Sequence, residues 1–474
     1  MTDQIAIALT FILFLLLFTL VGIYSAREKQ ATITDYLLAS RKVNPWLTAL
    51  SAMATGQSGL LFTGQVGFTY TRGLSSIWLV IGWVIGDYLA WWLVFKPLRT
   101  ESEAIDADTV STFLGQQKGS RIIVLLSALI TIAFLGSYAA AQLVAGSKAL
   151  YTTFGWNYQI GAIVGAVVVV IYCFSGGIRA SIWTDAVQAV IMIVSLLILF
   201  VVAIITGGGW SSIWTNLGEI DPGLVSLSPA SLPWGFVPFF LGWLVAGFGV
   251  VGQPHIMVRA MAIDSVNNLA FARNLKILAG LITSFAATGI GLCARVLVPN
   301  LGSNGDPELA LLYLSIDLLP VVLVGLMLAG LFAATISTAD SQILSCSAAL
   351  TQDLFPGMAN SYKWAKIGTL TITAIVLMIA LIDNNSVFAI ITFSWSALAS
   401  GLGPLLVLRV FRQPVRVGVA VAMMVAGIGT ALIWNLGLGF SGAVYEVLPG
   451  MIAGSLVYGM GYFLLEKRDS PNLK

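Results

Sequence analysis

Charge is what this sequence has least of: 9% of its 474 residues are Asp, Glu, Lys or Arg. Soluble domains carry about 25% charged residues, so this chain has too few to coat a water-facing surface. The 23 basic and 21 acidic residues leave a net charge of +2, which argues against nucleic acid as a partner, because phosphate binding needs clustered base. A single histidine, His255, leaves little for His-based metal chemistry. Cysteine is nearly as scarce. Cys173, Cys293 and Cys346 lie in apolar stretches without CxxC spacing, which reads as buried small hydrophobes and not as a disulfide framework or zinc site. No nucleophile–base pair, phosphate loop or metal cluster is legible, so the chain is expected not to be an enzyme.

What is abundant is apolar. Hydrophobic residues make up 58% of the chain and its mean hydropathy is +0.94, so its main solvent is expected to be lipid. Spans of about twenty apolar residues cross a bilayer. Thirteen are predicted: 4–24, 44–70, 74–99, 121–151, 157–175, 182–206, 234–256, 274–297, 320–350, 365–383, 386–410, 416–437 and 443–465. The N-terminus, Met-Thr-Asp-Gln before an apolar run, lacks the basic region of a signal peptide and is expected to be a retained helix.

Basic residues should collect in alternate, cytoplasmic loops. Arg27, Lys29, Arg41 and Lys42 follow the first predicted span, and Lys96, Arg99, Lys118 and Arg121 the third. Arg179 follows the fifth, Arg259, Arg273 and Lys276 the seventh, and Lys363 and Lys366 the ninth. Arg409, Arg412 and Arg416 follow the eleventh, and Lys467, Arg468 and Lys474 the last. Only Arg72, Lys148 and Arg295 fall at or near the other side. The expected topology is N-terminus outside and C-terminus cytoplasmic, in the inner or cell membrane, as one transmembrane domain over residues 1–474.

Two spans look interrupted. The second holds Ala54-Thr55-Gly56-Gln57-Ser58-Gly59 midway along an apolar run, and the seventh holds Gly242, Gly247, Gly249 and Gly252 before Gln253-Pro254. Both suit local unwinding, where backbone dipoles meet substrate and ion at the bilayer midplane. Glycines that merely permit close packing would explain the seventh span equally well. In the second, Thr55, Gln57 and Ser58 add polar groups that packing does not require. The two spans head five-helix blocks, about 44–206 and 234–410, with 4–24, 416–437 and 443–465 peripheral. An odd number of helices per block inverts the second copy, which is the pattern of the LeuT-type architecture.

The ninth span reads Ala333-Ala334-Thr335-Ile336-Ser337-Thr338-Ala339-Asp340-Ser341. Ala334, Ser337, Thr338 and Ser341 share one helical stripe, bordered by Asp340. Alkali cations want several hard oxygens. Carbonyls of Ala54, Gln57 and Ala334 with hydroxyls of Ser337 and Thr338 would make a five-oxygen sodium cage. Hydroxyls that only satisfy their own helix are the plainer alternative. Acids within spans are functional candidates. Asp185, with Ser337, Asp340 and Ser341, could form a second cation site, or Asp340 could carry a proton. Asp87 is left without an assigned role.

These stretches resemble the sodium/solute symporter family, and within it the sodium/proline symporters more than the sugar carriers. The resemblance runs over nearly the whole chain. It rests on Gly252-Gln253-Pro254-His255-Ile256 with Val258-Arg259, on Ala333 to Ser341, on Leu50-Ser51-Ala52, on Trp183-Thr184-Asp185 with Gln188, and on Trp395 through Gly403-Pro404. It implies sodium at Ala54, Gln57, Ala334, Ser337 and Thr338, a cation-related role for Asp185, and a place for Tyr138 in the substrate pocket. His255 is expected in a structural turn. The proline carriers are expected to hold an acid where Gly56 stands and aromatics at Leu60 and near Ala246, with Trp243 one turn away. The expected solute site is therefore Thr55, Ser58, Gly59, Tyr138, Trp243 and Ala246, with a solute carboxylate at the half-helix N-terminus near Ser58 and Gly59.

The expected function is sodium-coupled import of a small organic solute, proline or a related amino acid first, by alternating access. Other solutes (a monocarboxylate, a sugar or sialic acid) and a proton-coupled carrier using Asp340 or Asp185 are the alternatives, with a channel or a transporter-derived sensor further off.

Overall fold

In lipid no water is present to satisfy backbone N–H and C=O groups, and a chain solves this with helices whose hydrogen bonds are internal. The structure, a computed structural model, describes residues 2–116, 120–229, 232–299, 301, 305–359, 361–382 and 386–466. Among the described residues it is all helical, with one isolated bridge between Val43 and Ile263.

The helices that position the site are α1 (Thr2–Ser25), α2 (Pro45–Gly59), α3 (Val66–Arg72), α4 (Ile77–Leu93), α5 (Gly136–Phe154) and α6 (Tyr158–Thr206). They continue with α7 (Phe236–Phe248), α8 (Pro254–Ala262), α9 (Leu269–Leu297), α10 (Val321–Ala348), α11 (Tyr362–Ile382), α12 (Val387–Val410), α13 (Val417–Leu432) and α14 (Val447–Gly461). α10 is buried along most of its length and packs against α1, α2, α5, α6 and α11.

By length and composition the described residues hold ten candidate spans, or eleven when the bent pair Phe236–Gly252 and Pro254–Ala262 counts as one. That is fewer than the thirteen predicted. The difference lies in two runs, Pro45–Ala104 of 60 residues and Tyr158–Thr206 of 49, where the sequence places two spans each. At about 1.5 Å per residue either run, if straight, would far exceed a hydrocarbon core about 30 Å thick. Each contains a glycine at positive φ, Gly73 at 66° and Gly177 at 58°, a conformation that ends a right-handed helix.

Polar contacts gather the basic loops at one end. Arg41 donates to the carbonyls of Ala107 (2.8 Å) and Met261 (3.1 Å). Arg179 pairs with Asp35 at 2.6 Å, Arg412 with Glu101 at 2.7 Å, and Arg121 donates to Leu354 O at 3.1 Å. The segments after predicted spans 1, 3, 5, 7, 9 and 11 therefore meet. At the opposite end Lys148 pairs with Asp306 (2.7 Å) and Glu308 (2.8 Å), and Glu308 accepts from Phe388 N at 2.9 Å. Lys118, Lys467, Arg468 and Lys474 lie outside the described residues. Lys276, grouped with the loops by its sequence position, is buried inside α9.

α4 and α7 touch backbone to backbone through paired glycines. A Cβ at Gly86 would overlap the Leu244 carbonyl, and one at Gly247 the Trp83 carbonyl. A Cβ at Gly136 would meet nothing within 4 Å. Gly247→Ala is therefore expected to destabilise the protein by about 1–3 kcal/mol through overpacking, whereas Gly136→Ala should be neutral or slightly stabilising. Thermal unfolding of the two variants in detergent checks this; equal melting temperatures would contradict the close approach.

Candidate functional site

The sequence Thr55-Gly56-Gln57-Ser58-Gly59 breaks the helix where it was expected to. Ser58 leaves the helical region at φ 54°, ψ −175°, and a wide π-type turn, Leu60–Gln65, follows before α3. The groups freed by the break are met by side chains. Gly59 N donates to Gln142 Oε1 at 2.8 Å, Leu60 N to Ser58 Oγ at 3.1 Å, and the Tyr138 hydroxyl to Ser58 Oγ at 3.2 Å. Tyr138 and Gln142, one turn apart on α5, thus brace the interruption.

The seventh predicted span breaks as well. α7 and α8 are bent by 60° across Gly249–Gly252 and Gln253. Gln253 Nε2 donates to Trp395 O at 3.1 Å, and Trp395 Nε1 donates to Ala246 O at 2.9 Å, so α12 holds both sides of this bend. A Cβ at Gly252 would lie 2.6 Å from Ala399 Cα, which is why only glycine fits there. His255 lies in the first turn of α8 and is fully buried.

The broken second span lies directly against α10. Thr338 Oγ1 donates to Thr55 O at 3.1 Å and lies 3.1 Å from Ala334 O, while Ser337 Oγ donates to Ala334 O at 3.1 Å. Thr55 Oγ1 lies 3.4 Å from Ser337 O and 3.3 Å from Ser341 Oγ. A hydroxyl that donates to a carbonyl keeps its lone pairs, so these oxygens can still act as hard ligands. Ala54, Thr55, Ala334, Ser337 and Thr338 are all buried. Gln57 differs. Its carbonyl accepts from Leu60 N, and its side chain turns away to Gly280 O (3.2 Å) and Ser284 Oγ (3.4 Å) on α9.

A second buried cluster lies beside the first. Asp185 Oδ2 accepts from Ser51 Oγ at 2.6 Å, and Asp340 Oδ1 accepts from Ser181 Oγ (3.1 Å) and Ser341 Oγ (2.7 Å). Arg259 reaches into it from α8, with its guanidinium 3.1 Å from both Asp185 Oδ2 and Ser181 Oγ and 3.2 Å from Ser51, and it also bonds Ser341. The residues read as a second cation site thus surround a cation that the chain itself supplies. The sequence held a signal for this. Arg259 sits among Ile256, Met257, Val258, Ala260 and Met261, an apolar setting unlike a solvated loop.

The six candidate solute residues divide between different surroundings. Thr55, Ser58, Gly59 and Tyr138 are packed between α2, α5 and α10. Trp243 stacks on Tyr445 at 4.9 Å and lines a larger cavity that Arg72 and Glu446 also border. The Ala246 carbonyl is taken by Trp395. A separate, narrow cavity lies along the break itself, on the side of Gly56 and Gln57, and reaches Trp83, Asp87, Lys276 and Trp395. Phe388, stacked on Phe68 at 5.7 Å, borders both cavities. Asp87, which the sequence left without a role, is ion-paired with Lys276.

The family model for the sodium:solute symporter family matches residues 36–427. The osmoregulated proline transporter OpuE of Bacillus subtilis is 32% identical, over 95% of this chain and 93% of its own length. The sodium/proline symporter of Escherichia coli is 30% identical, over 94% and 91%. Among solved structures, a Na+-coupled sialic acid symporter in a substrate-bound outward-open state superposes with a TM-score of 0.79. That match covers 97% of this chain and 98% of the other at 18% identity. The nucleobase-cation-symport-1 family transporter Mhp1 superposes with 0.59, over 91% and 95% at 15% identity. The architecture is accordingly of the LeuT type, with broken helices at its centre. The chain belongs to the sodium:solute symporter family, as a multi-span membrane transporter that couples solute movement to sodium and not as an enzyme.

Proposed function

We propose that this protein imports proline or a closely related amino acid together with sodium, by alternating access. The observation that carries the coupling is the contact of Thr338 with the backbone of the interrupted span at Thr55. Sodium held by the carbonyls of Ala54, Gln57 and Ala334 and the hydroxyls of Ser337 and Thr338 would tie α2 to α10. Ion and solute then favour the same occluded state, since a ligand shifts an equilibrium only through differential affinity. The membrane potential adds roughly 2.3 kcal/mol per charge per 100 mV, enough to drive accumulation.

The amino-acid reading is supported by relatives about 30% identical that are themselves proline transporters. A monocarboxylate, sugar or sialic acid remains the competing cargo. Blocks 44–206 and 234–410 act as inverted repeats in this reading, and the end that gathers the basic loops is cytoplasmic, so the N-terminus lies outside and the C-terminus inside. Uptake into liposomes, screened over amino acids, sugars and carboxylates with and without a sodium gradient, tests the whole reading. Uptake driven by a pH step in the absence of sodium would favour the proton-coupled alternative through Asp340 or Asp185.

Thr338→Ala removes one oxygen of the cage and one contact between the spans. The sodium concentration for half-maximal uptake is expected to rise about tenfold or more, the order of a lost ligand worth about 1.5 kcal/mol. An unchanged sodium dependence would count against the site. Arg259→Met strands Asp185 as a buried charge and should cost about 3–5 kcal/mol of stability. The double change Arg259→Met with Asp185→Asn should restore most of it in thermal unfolding; equal loss in the single and double variants would contradict the pairing.

A further inference from the structure

One feature of the cavity beside the break is not used by sodium coupling. Asp87 on α4 and Lys276 on α9 form an ion pair that lines it, each side chain buried, with residue exposures of 7% and 6%. Their placement follows from helix periodicity. Val80, Trp83 and Asp87 run along one stripe of α4, and Lys276, Gly280 and Ser284 along one stripe of α9. Gln57 bonds Gly280 and Ser284, so Lys276 stands one turn from the point where the interrupted span meets α9. A Cβ at Gly280 would lie 3.0 Å from Gln57 Nε2, so the glycine lets the two helices close there.

The pair has unused bonding capacity. Among the described residues Asp87 Oδ1 has no hydrogen-bond partner. The Lys276 ammonium has three hydrogens but, among the described residues, a single acceptor, Asp87 Oδ2, with the Trp91 ring 5.6 Å away. A buried pair kept only for stability is readily replaced by apolar packing, whereas one with spare donors and acceptors facing a cavity presents a ligand with both signs of charge. Among the described residues the rest of this cavity's wall carries no charge and includes Met53, Gly56, Leu60, Ile256 and Trp395. The N–H groups of Gly59 and Leu60 at the break, the expected seat for a solute carboxylate, are already bonded to Gln142 and Ser58.

We propose that Asp87 and Lys276 together recognise a zwitterionic solute, Lys276 donating to its carboxylate and Asp87 accepting from its ammonium or imino group, as the ion pair opens to admit it. This rests on the amino-acid reading above and assigns specificity to two residues outside the sodium site. A simple monocarboxylate would engage Lys276 and leave Asp87 without a partner, which disfavours it.

The test uses the purified protein in liposomes, with uptake of labelled proline driven by a sodium gradient. Prolinamide lacks the carboxylate and N-acetylproline lacks the charged nitrogen. Each is expected to compete at least about tenfold more weakly than unlabelled proline, since one lost charge-assisted bond is worth about ten- to hundredfold. The double variant Asp87→Asn with Lys276→Met leaves no buried charge unpaired. It should raise the KM for proline by about tenfold or more while radioactive sodium binding in detergent stays within about threefold of the unaltered protein. Equal competition by either analogue, or an unchanged KM in the double variant, overturns the role of the pair and leaves sodium–amino acid symport standing. Failure of the unaltered protein to take up proline or any other zwitterion overturns the amino-acid reading itself, and this inference with it.

Discussion

A helix interrupted inside a membrane leaves backbone N–H and C=O groups that water cannot reach, each costing several kcal/mol if nothing meets it. The break at Ser58 is the feature on which the rest of this structure depends. Its N–H groups are satisfied by Gln142 and Ser58, its turn is braced by Tyr138, and its preceding carbonyl at Thr55 is met by Thr338. The interruption therefore persists because two neighbouring helices are built around it. The same exposure of backbone oxygen that makes a break costly makes it attractive to a desolvated cation.

The neighbouring charges obey a related constraint. Buried ions need a counter-charge or hydrogen bonds, and three of the buried acids, Asp87, Asp185 and Asp340, show different solutions. Asp185 is held by Arg259, Asp340 by hydroxyls of Ser181 and Ser341, and Asp87 by Lys276. The first two solutions lie against α10, and the third lines the cavity beside the break. The two sets of charges thus lie on opposite faces of the interrupted span, with Thr55 directed to one and Gly56 and Gln57 to the other.

What the sequence disclosed was local in origin. Glycine and polar residues at 54–59 and 249–254 depress helix propensity wherever they occur, so both breaks could be read before any contact was known. The hydroxyl stripe of α10 followed from helical periodicity alone. What stayed hidden depends on how helices are rotated and which residues they meet. Arg259 and Lys276 looked like loop bases because charge near a span boundary usually is, yet both are buried against acids more than 70 residues away. Trp243 and Ala246 lie near the bend of the seventh predicted span, but Trp243 stacks on Tyr445 in the other cavity and the Ala246 carbonyl is taken by Trp395. The span count suffered differently, because glycine turns at Gly73 and Gly177 join helices that hydropathy alone separates.

Coupling in the proposed function depends on sodium being held where the interrupted span meets α10. A high-resolution cryo-electron microscopy map of the protein in sodium, compared with one in choline, addresses it directly. Sodium-dependent density is expected, bounded by Ala54 O, Gln57 O, Ala334 O, Ser337 Oγ and Thr338 Oγ1, with the second span broken at Ser58. Sodium density elsewhere with none at this junction, or a second span that is continuous through Ser58, would contradict it.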